Sequence, residues 1–505
     1  MAAPLPPHRF RPLRANRQLL PLLAAGLAMC LLEFCLPDSC RAADSTRPNI
    51  VLIFADDLGW RDTGFSGSTY CRTPHLDQLA KQGMVFRHAY AAAGNCAPSR
   101  ACLISGQYTP RHHVYAVGST NRGQPELMRM IPVPNTNSLP GTATTLGETL
   151  QAAGYATGYF GKTHLVDKGK GKSERRGFDV VKVSQHGLNS DDPQDPKGIF
   201  SITEAACGFI EANRKQPFFA YIPHYAVHTR IEARVETLKK FQQQEPGTHH
   251  DDPLFAACIA DLDTGIGRVL ETLDRLKLTD NTLVVFTSDN GGTNWSQEPL
   301  RGKKGSYDEG GIRVPMAVRW PGIVPAGTTC DVPVISIDLY PTFLAVAGIE
   351  PPPNHTLDGT SLVPLFAGKP RLERPGIFWH FPGYLNGPVP RGRDPVFRTR
   401  PVSVIRDGDW KLLLYHEEWQ LDGGRAQLDT NNAVELYNLA ADPGEHHNLA
   451  SRNPQQRDKL LQTLLDWFES TDALLPTKPN PQYDAAARKA AEQKAAEKKA
   501  RRKRG

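Results

Sequence analysis

Six short stretches of this chain concentrate residues that handle anions, cations and protons. They are Asp56-Asp57, Cys96-Ala97-Pro98-Ser99-Arg100, Lys162-Thr163-His164, His224 to His228, Ser288-Asp289-Asn290-Gly291-Gly292 and Lys303-Lys304. Cys96 opens a segment that reads as a loop turning into a short helix. Pro98 suits the first turn, Leu103 and Ile104 supply an apolar side, and Gly106 is a stop. A helix N-terminus gathers unpaired N–H groups and the positive end of the dipole, which lowers a thiol pKa and accommodates an anion such as a sulfate or phosphate ester. The oxygens of Asp56, Asp57, Asp289 and Asn290 suit a hard cation, Ca²⁺ better than Mg²⁺, because a protein cage with several carboxylates is the habit of calcium. Lys162, Lys304 and Arg100 can hold an anionic group and its developing charge, and His164 and His228 can move protons near neutral pH. Taken singly, each stretch has a plainer reading. A cysteine before a helix is usually structural, and two acids at a strand end usually begin a turn.

What gives them joint meaning is the elements that carry them. Asn49 to Phe54, Tyr155 to Phe160, Pro217 to Ile222 and Leu283 to Thr287 are apolar runs that read as strands, the first buried on both faces. Each ends at once in a cluster of Asp, Asn, Lys or His. Helical patterns lie between them over Pro74 to Gln82, Thr144 to Ala153 and Pro253 to Leu276, the last with Ile259, Leu262, Ile266, Val269, Leu273 and Leu276 at three- and four-residue steps. Strands alternating with helices predict an α/β fold whose large, mixed, mostly parallel sheet is sandwiched by helices. Ligands of such sheets bind outside the carboxyl ends of the strands, so the clusters should meet in one crevice. Gln185 to Lys197 reads as loop, and a glycine-rich loop around Gly302 to Gly311 precedes a strand at Met316 to Trp320. Beyond Pro370 to Pro375 the style changes: Val402 to Arg406 and Asp409 to Tyr415 form a hairpin around Asp407-Gly408, and a helix at Lys459 to Phe468 closes a smaller antiparallel α+β unit.

At 505 residues the chain exceeds the ~250 to 300 residues at which single cores stop growing, so one large and one small unit are expected. The division reads as an export signal at 1–43, a catalytic domain at 44–375, an antiparallel-sheet subdomain at 376–480 and a basic tail at 481–505. The signal reading rests on Arg11, Arg14 and Arg17 before the apolar run Leu19 to Leu32, with Ala42 and Ala43 after it. Pro21 interrupts that run and it is shorter than a spanning helix, so cleavage is expected, with no stable membrane span and a periplasmic or secreted product. Six cysteines follow the signal and their scatter defines no disulfide framework. The net charge of +6 sits in the Lys- and Arg-rich tail, without which the protein is near neutral. A nucleic-acid function is thereby unsupported. The tail reads as a solvated, partly helical extension, with weak anchoring to an acidic polymer or envelope as the alternative.

Cys96-Ala97-Pro98-Ser99-Arg100 resembles the Cys-x-Pro-Ser-Arg signature of the formylglycine-dependent type I sulfatases, within the alkaline-phosphatase-like superfamily. The order of motifs is similar across nearly the whole mature chain, from Arg47-Pro48-Asn49 to Glu435-Leu436-Tyr437-Asn438-Leu439 and Asp442-Pro443-Gly444-Glu445. The resemblance implies that a formylglycine-generating enzyme oxidises Cys96 in the unfolded chain, making it the nucleophile and a metal ligand. It also implies Asp56, Asp57, Asp289 and Asn290 as calcium ligands and Arg100, Lys162, His164, His228 and Lys304 as the catalytic set. A hydrated aldehyde carries two hydroxyls on one carbon. In the implied mechanism one attacks sulfur and expels the alcohol, and the other, deprotonated by a base such as His164, collapses to expel sulfate. His228 or Lys304 protonates the leaving group. Asn95, Ser105, Phe160 and Thr163 depart from the usual residues beside these motifs without removing a reacting group.

The expected substrate is a sulfated carbohydrate, because Pro390 to Pro401 carries Arg391, Arg393, Arg398 and Arg400, some of which would read further anionic groups near the crevice mouth. Two alternatives stand beside this reading. One is a phosphate mono- or diester hydrolase of the same superfamily, which would want a second metal set and a Ser or Thr nucleophile. The other is a non-catalytic carbohydrate-binding relative, if Cys96 stays a thiol. His112, His113 and His224 read as packing or subsite residues.

Overall fold

The computed structural model describes residues 47–163, 176–183, 192–293, 295 and 297–502. The expected export signal, most of the loop expected at 185–197 and His164 lie outside the described residues. Eight strands make the main sheet: β1 (Asn49–Ala55), β2 (Met84–Phe86), β3 (Ala156–Phe160), β4 (Val180–Lys182), β5 (Phe218–Pro223), β6 (Thr282–Ser288), β7 (Ala317–Arg319) and β8 (Thr328–Cys330). Their spatial order is β8-β2-β7-β6-β1-β5-β3-β4. The run from β6 to β4 is parallel throughout, while β7 lies antiparallel to both β6 and β2, which makes the sheet mixed.

The aliphatic continuity of β1 follows from its position. Ile50, Leu52 and Phe54 enter the core on one face, and Val51, Ile53 and Ala55 enter the core on the other. With both faces covered, the strand has no side left for a polar residue. The helices are α1 (Pro74–Lys81), α2 (Cys96–Ser105), α3 (Leu146–Ala152), α4 (Ile199–Ala212), α5 (Pro253–Arg275) and α6 (Leu339–Ala347). Residues of α1, α4 and α5 pack on the face of Val51, and residues of α2, α3 and α6 pack on the face of Ile50. Helix α3 starts two residues after the expected Thr144, because Thr145 is its cap. The Thr145 hydroxyl accepts from Glu148 N at 3.2 Å and the Glu148 carboxylate accepts from Thr145 N at 2.7 Å, which satisfies two end donors reciprocally.

The C-terminal region contributes β9 (Ile377–Phe381), β10 (Leu385–Asn386), β11 (Phe397–Thr399), β12 (Val402–Asp407), β13 (Trp410–Tyr415) and β14 (Val434–Asn438). Strands β9-β12-β13-β14 form an antiparallel sheet, and β10 pairs with β11 as a separate ribbon. Asp407 pairs with Trp410, so the turn residues are Gly408 and Asp409, one position later than the sequence suggests, with Gly408 at φ +56°. Helix α7 (Pro454–Thr471) covers this sheet, and the same core takes in Tyr90, Cys102 and Tyr108 from the first part of the chain.

The basic tail is a helix, α8 (Ala485–Arg502), and its first half is docked rather than solvated. Ala487 and Ala491 pack on Leu127, Met128, Tyr384 and Phe397, and Arg488 bridges Asp394 at 2.5 Å. Among the described residues no helix is long and apolar enough to cross a membrane, and Cys71, Cys96, Cys102, Cys207, Cys258 and Cys330 are free.

Candidate active site

Four neighbouring parallel strands, β6, β1, β5 and β3, end on the same side of the sheet, and each hands its cluster to one crevice. Asp56 and Asp57 follow β1, Asp289 and Asn290 follow β6, His224 to His228 follow β5, and Lys162 follows β3. Helix α2 starts at the crevice with Cys96, which is 2% exposed. Asp57 holds a positive φ of 65°, in which its amide donates to Asp289 Oδ1 at 3.1 Å. Lys304 arrives on a loop stitched to both neighbours: its amide donates to Gly292 O at 3.1 Å, and Gly305 N donates to Gly94 O at 2.7 Å beside the Cys96 segment. An added Cβ on Gly94 would stand 2.7 Å from Ser306 O, so this approach of two backbones needs glycine.

The charged groups interlock. Arg100 donates through Nε at 3.0 Å and Nη2 at 2.7 Å to Asp289 Oδ2, and through Nη1 to the Lys162 carbonyl at 3.2 Å. It therefore positions Asp289 and the end of β3 more than it faces the crevice. The Lys162 ammonium bonds Asp56 Oδ2, and Lys304 Nζ lies 2.5 Å from Asp57 Oδ1. Asn290 Nδ2 donates to Asp57 Oδ1 at 2.8 Å. His228 Nδ1 lies 2.5 Å from the Thr229 carbonyl, which can only accept, so that nitrogen carries the proton, and Nε2 faces Asp57 Oδ2 at 3.7 Å. Of the expected set, Asp56, Asp57, Asp289, Asn290, Cys96, Arg100, Lys162, His228 and Lys304 thus meet.

Burial and charge compete at every titrating group. Burial pushes Asp56 up, but Lys162, Arg100 and Lys304 outweigh it and hold its carboxyl below the usual range. Burial pushes Lys304 down, yet Cys96, Asp57, Asp56 and Asp289 raise it well above an ordinary lysine. For Cys96 the expectation from the helix N-terminus fails. Burial raises the thiol to about 11, although Lys304 and Lys162 pull it down, because a thiolate here has lost its water and faces Asp56 and Asp289.

Ligating atoms of Asp56, Asp57, Cys96 and His228 lie within 4.8 Å of one another. Asp56 Oδ1 and Asn290 Oδ1 are buried without a hydrogen-bond partner. Two orphaned oxygens aimed among carboxylates fit a hard cation, which takes several oxygen ligands. Asp56, Asp57, Asp289 and Asn290 would hold it, with His228 as a neighbour that sequence reading placed only in proton transfer. Of the other histidines, His112 and His224 are set apart by burial and His113 is half-buried. His112 is pushed down to about 3 and contacts Cys102 Sγ at 3.4 Å, His224 is pushed down to about 3 with both ring nitrogens unpartnered, and His113 stacks on Tyr115. Arg122, missed in the sequence, is tied down by its amide, which donates to Tyr384 O at 3.1 Å, and its charge acts on Arg398. No local pattern marks that pairing.

A family model described as Sulfatase matches residues 48–349, and one described as N-sulphoglucosamine sulphohydrolase, C-terminal, matches 302–470. A sulfatase of Formosa agariphila is 32% identical over 499 residues, covering 81% of this chain and 86% of the relative. Arylsulfatase A of Homo sapiens is 30% identical over 506 residues, covering 89% and 90%. The crystal structure of Ps i-CgsB in complex with k-i-k-neocarrahexaose superposes with a TM-score of 0.67 at 30% identity, covering 89% of this chain and 98% of that one.

Proposed function

The chain belongs to the sulfatase family of sulfuric ester hydrolases, and from that premise we propose that it cleaves sulfate esters of a carbohydrate by means of a formylglycine made from Cys96 and a divalent cation, Ca²⁺ before Mg²⁺. The observation that carries this reading is the convergence of Cys96, Asp56, Asp57 and His228 within 4.8 Å, ringed by Lys162 and Lys304. The carbohydrate is supported by the oligosaccharide in the Ps i-CgsB complex.

Formylglycine supplies a hydrated carbonyl whose two hydroxyls serve attack and release in turn, and the cation supplies charge stabilisation at the sulfate. The chain's own residues do the rest. Asp56, Asp57 and Asp289 are balanced by Arg100, Lys162 and Lys304, so a bound dication leaves the crevice positive, as an anionic ester requires. Lys162 and Lys304 grip the sulfate oxygens. His228, whose imidazole is partly open to solvent, protonates the departing oxygen. His164 takes the base role in sulfate release, as the family resemblance implies. Because Cys96 is inaccessible in the fold, its oxidation belongs to the unfolded chain and to a formylglycine-generating enzyme. The same reading keeps 1–43 as an export signal, a catalytic unit at 44–375, a subdomain at 376–480 and a tail at 481–505.

The test is the mass of the tryptic peptide His88 to Arg100 from the native host, together with sulfate release from nitrophenyl sulfate and phosphate release from nitrophenyl phosphate. An aldehyde-containing peptide and preferred sulfate release are expected. A thiol in every molecule would leave a carbohydrate-binding protein, and preferred phosphate release would leave a phosphatase.

A further inference from the structure

Three of the four arginines between Pro390 and Pro401 are engaged inside the protein. Arg393 pairs with Glu418 and Glu435, Arg400 pairs with Asp394, Glu417 and Glu418, and Arg391 donates to the Gly444 and Pro299 carbonyls. Arg398 differs. It has no carboxylate partner among the described residues, only long bonds to the carbonyls of Lys304 at 3.3 Å and Gly387 at 3.4 Å. Its side chain lies against Gly305. Gly305 is at φ +87°, and an added Cβ there would come within 2.4 Å of Arg398 Cδ, so the glycine makes the space this guanidinium occupies.

Two more cations gather beside it. Burial and the nearby Arg122 lower the pKa of Arg398 against the pull of Asp57, and burial and Arg398 lower that of Lys303, whose ammonium makes one bond among the described residues, a 3.4 Å contact with the Thr293 carbonyl. Arg122 is exposed and makes no side-chain hydrogen bond or ion pair among the described residues. Three cations held together without a pairing carboxylate repel one another, and an anion relieves them. Lys303 adjoins Lys304 in the chain and Arg398 bonds the Lys304 carbonyl, which ties the group to the lysine that pairs with Asp57.

We propose that Arg398 and Arg122, backed by Lys303, form a second anion subsite that binds another anionic group, a sulfate or a uronate carboxylate, on the saccharide whose sulfate ester is cleaved. The planar fork of Arg398 is suited to either group. This proposal rests on the sulfatase reading for its substrate, but its binding chemistry is testable apart from turnover.

The experiment uses the full chain carrying Cys96→Ala, titrated by calorimetry with a monosulfated hexose, the same hexose bearing a second sulfate, and a monosulfated uronic acid. The two-anion ligands should bind about tenfold tighter or more than the monosulfated one. Arg398→Gln should erase that preference, Arg122→Gln should reduce it and Arg398→Lys should restore part of it. The stronger of the two ligands identifies the anion. A preference absent from the start, or intact in Arg398→Gln, overturns the subsite. Should Cys96→Ala fold poorly, the same ligands compete against nitrophenyl sulfate turnover by enzyme shown by mass to carry the aldehyde, with inhibition constants compared in place of affinities. Failure of such enzyme to turn over any sulfate ester overturns the sulfatase reading instead, while calorimetry of that aldehyde-bearing chain still decides the subsite.

Discussion

Two buried charge clusters of this molecule look alike in composition and differ in closure. In the C-terminal region Glu435 accepts from Arg301 at 2.9 Å, Tyr437 at 3.0 Å, Tyr415 at 3.2 Å and Arg393 at 3.0 Å, so both oxygens are used. Burial pushes its carboxyl up, but Arg301 and Arg393 hold it below the usual range. At the strand ends, Asp56, Asp57 and Asp289 also face three cations, yet Asp56 Oδ1, 3.9 Å from Arg100 Nη2, and Asn290 Oδ1 accept no hydrogen bond. A buried network that satisfies itself is a clamp. One that leaves oxygens bare keeps its free energy for a ligand.

Replacing a ligand breaks the open cluster hardest. Asp289→Ala should lose bound metal and about 10³-fold or more in kcat/KM together, since Arg100 loses its partner and the cation loses a carboxylate. Metal analysis beside sulfate release checks it, and full activity after exhaustive chelation would contradict the ligand set. Glu435→Gln should do the opposite. It removes the charge between two buried guanidiniums, costs about 3 kcal/mol of stability, and lowers Tm, while kcat/KM per folded molecule changes little. A large loss of turnover at unchanged Tm would show that the clamp belongs to the site.

The division of labour inside the open cluster sharpens next. Protonation matters most for a poor leaving group, so replacing His228 should depress kcat/KM on a sugar sulfate by about 10²-fold more than on nitrophenyl sulfate. The same replacement of Lys304 should hurt both substrates alike, because it grips the sulfate. Equal losses for His228 variants would remove its role as acid. A His164 variant should slow every substrate and accumulate sulfated enzyme, visible by intact mass.

The smallest effect concerns pH. His112 and His224 are buried and neutral, pushed down to about 3 in the fold. Against an unfolded value of about 6.5, each stabilises the fold fully above that pH and loses about 1.4 kcal/mol per pH unit below it, until the folded value is reached. Tm should therefore fall on acidification from about pH 6.5. His224→Gln should flatten that slope without acting as a catalytic lesion, and an unchanged slope would mean that the buried ring is not the cause.

The local chemistry was legible because it is carried by patterns of short range. A strand buried on both faces must be apolar, so Asn49 to Phe54 and Leu283 to Thr287 announced themselves, and the polar clusters after them marked their carboxyl ends. The three- and four-residue steps of α5 located that helix to within a residue of Pro253–Arg275. Parallel pairing then brought the clusters together by topology. Long-range partnership decided everything else. Four arginines in one segment look equivalent in sequence, and only the fold assigns three to Glu417, Glu418, Glu435, Asp394 and backbone carbonyls while leaving Arg398 open. Arg122 is tied to the backbone of Tyr384, far along the chain. Cys96 shows the limit most plainly. Its place at a helix N-terminus was readable, but its pKa depends on how much water the surrounding fold removes, and that quantity has no local code.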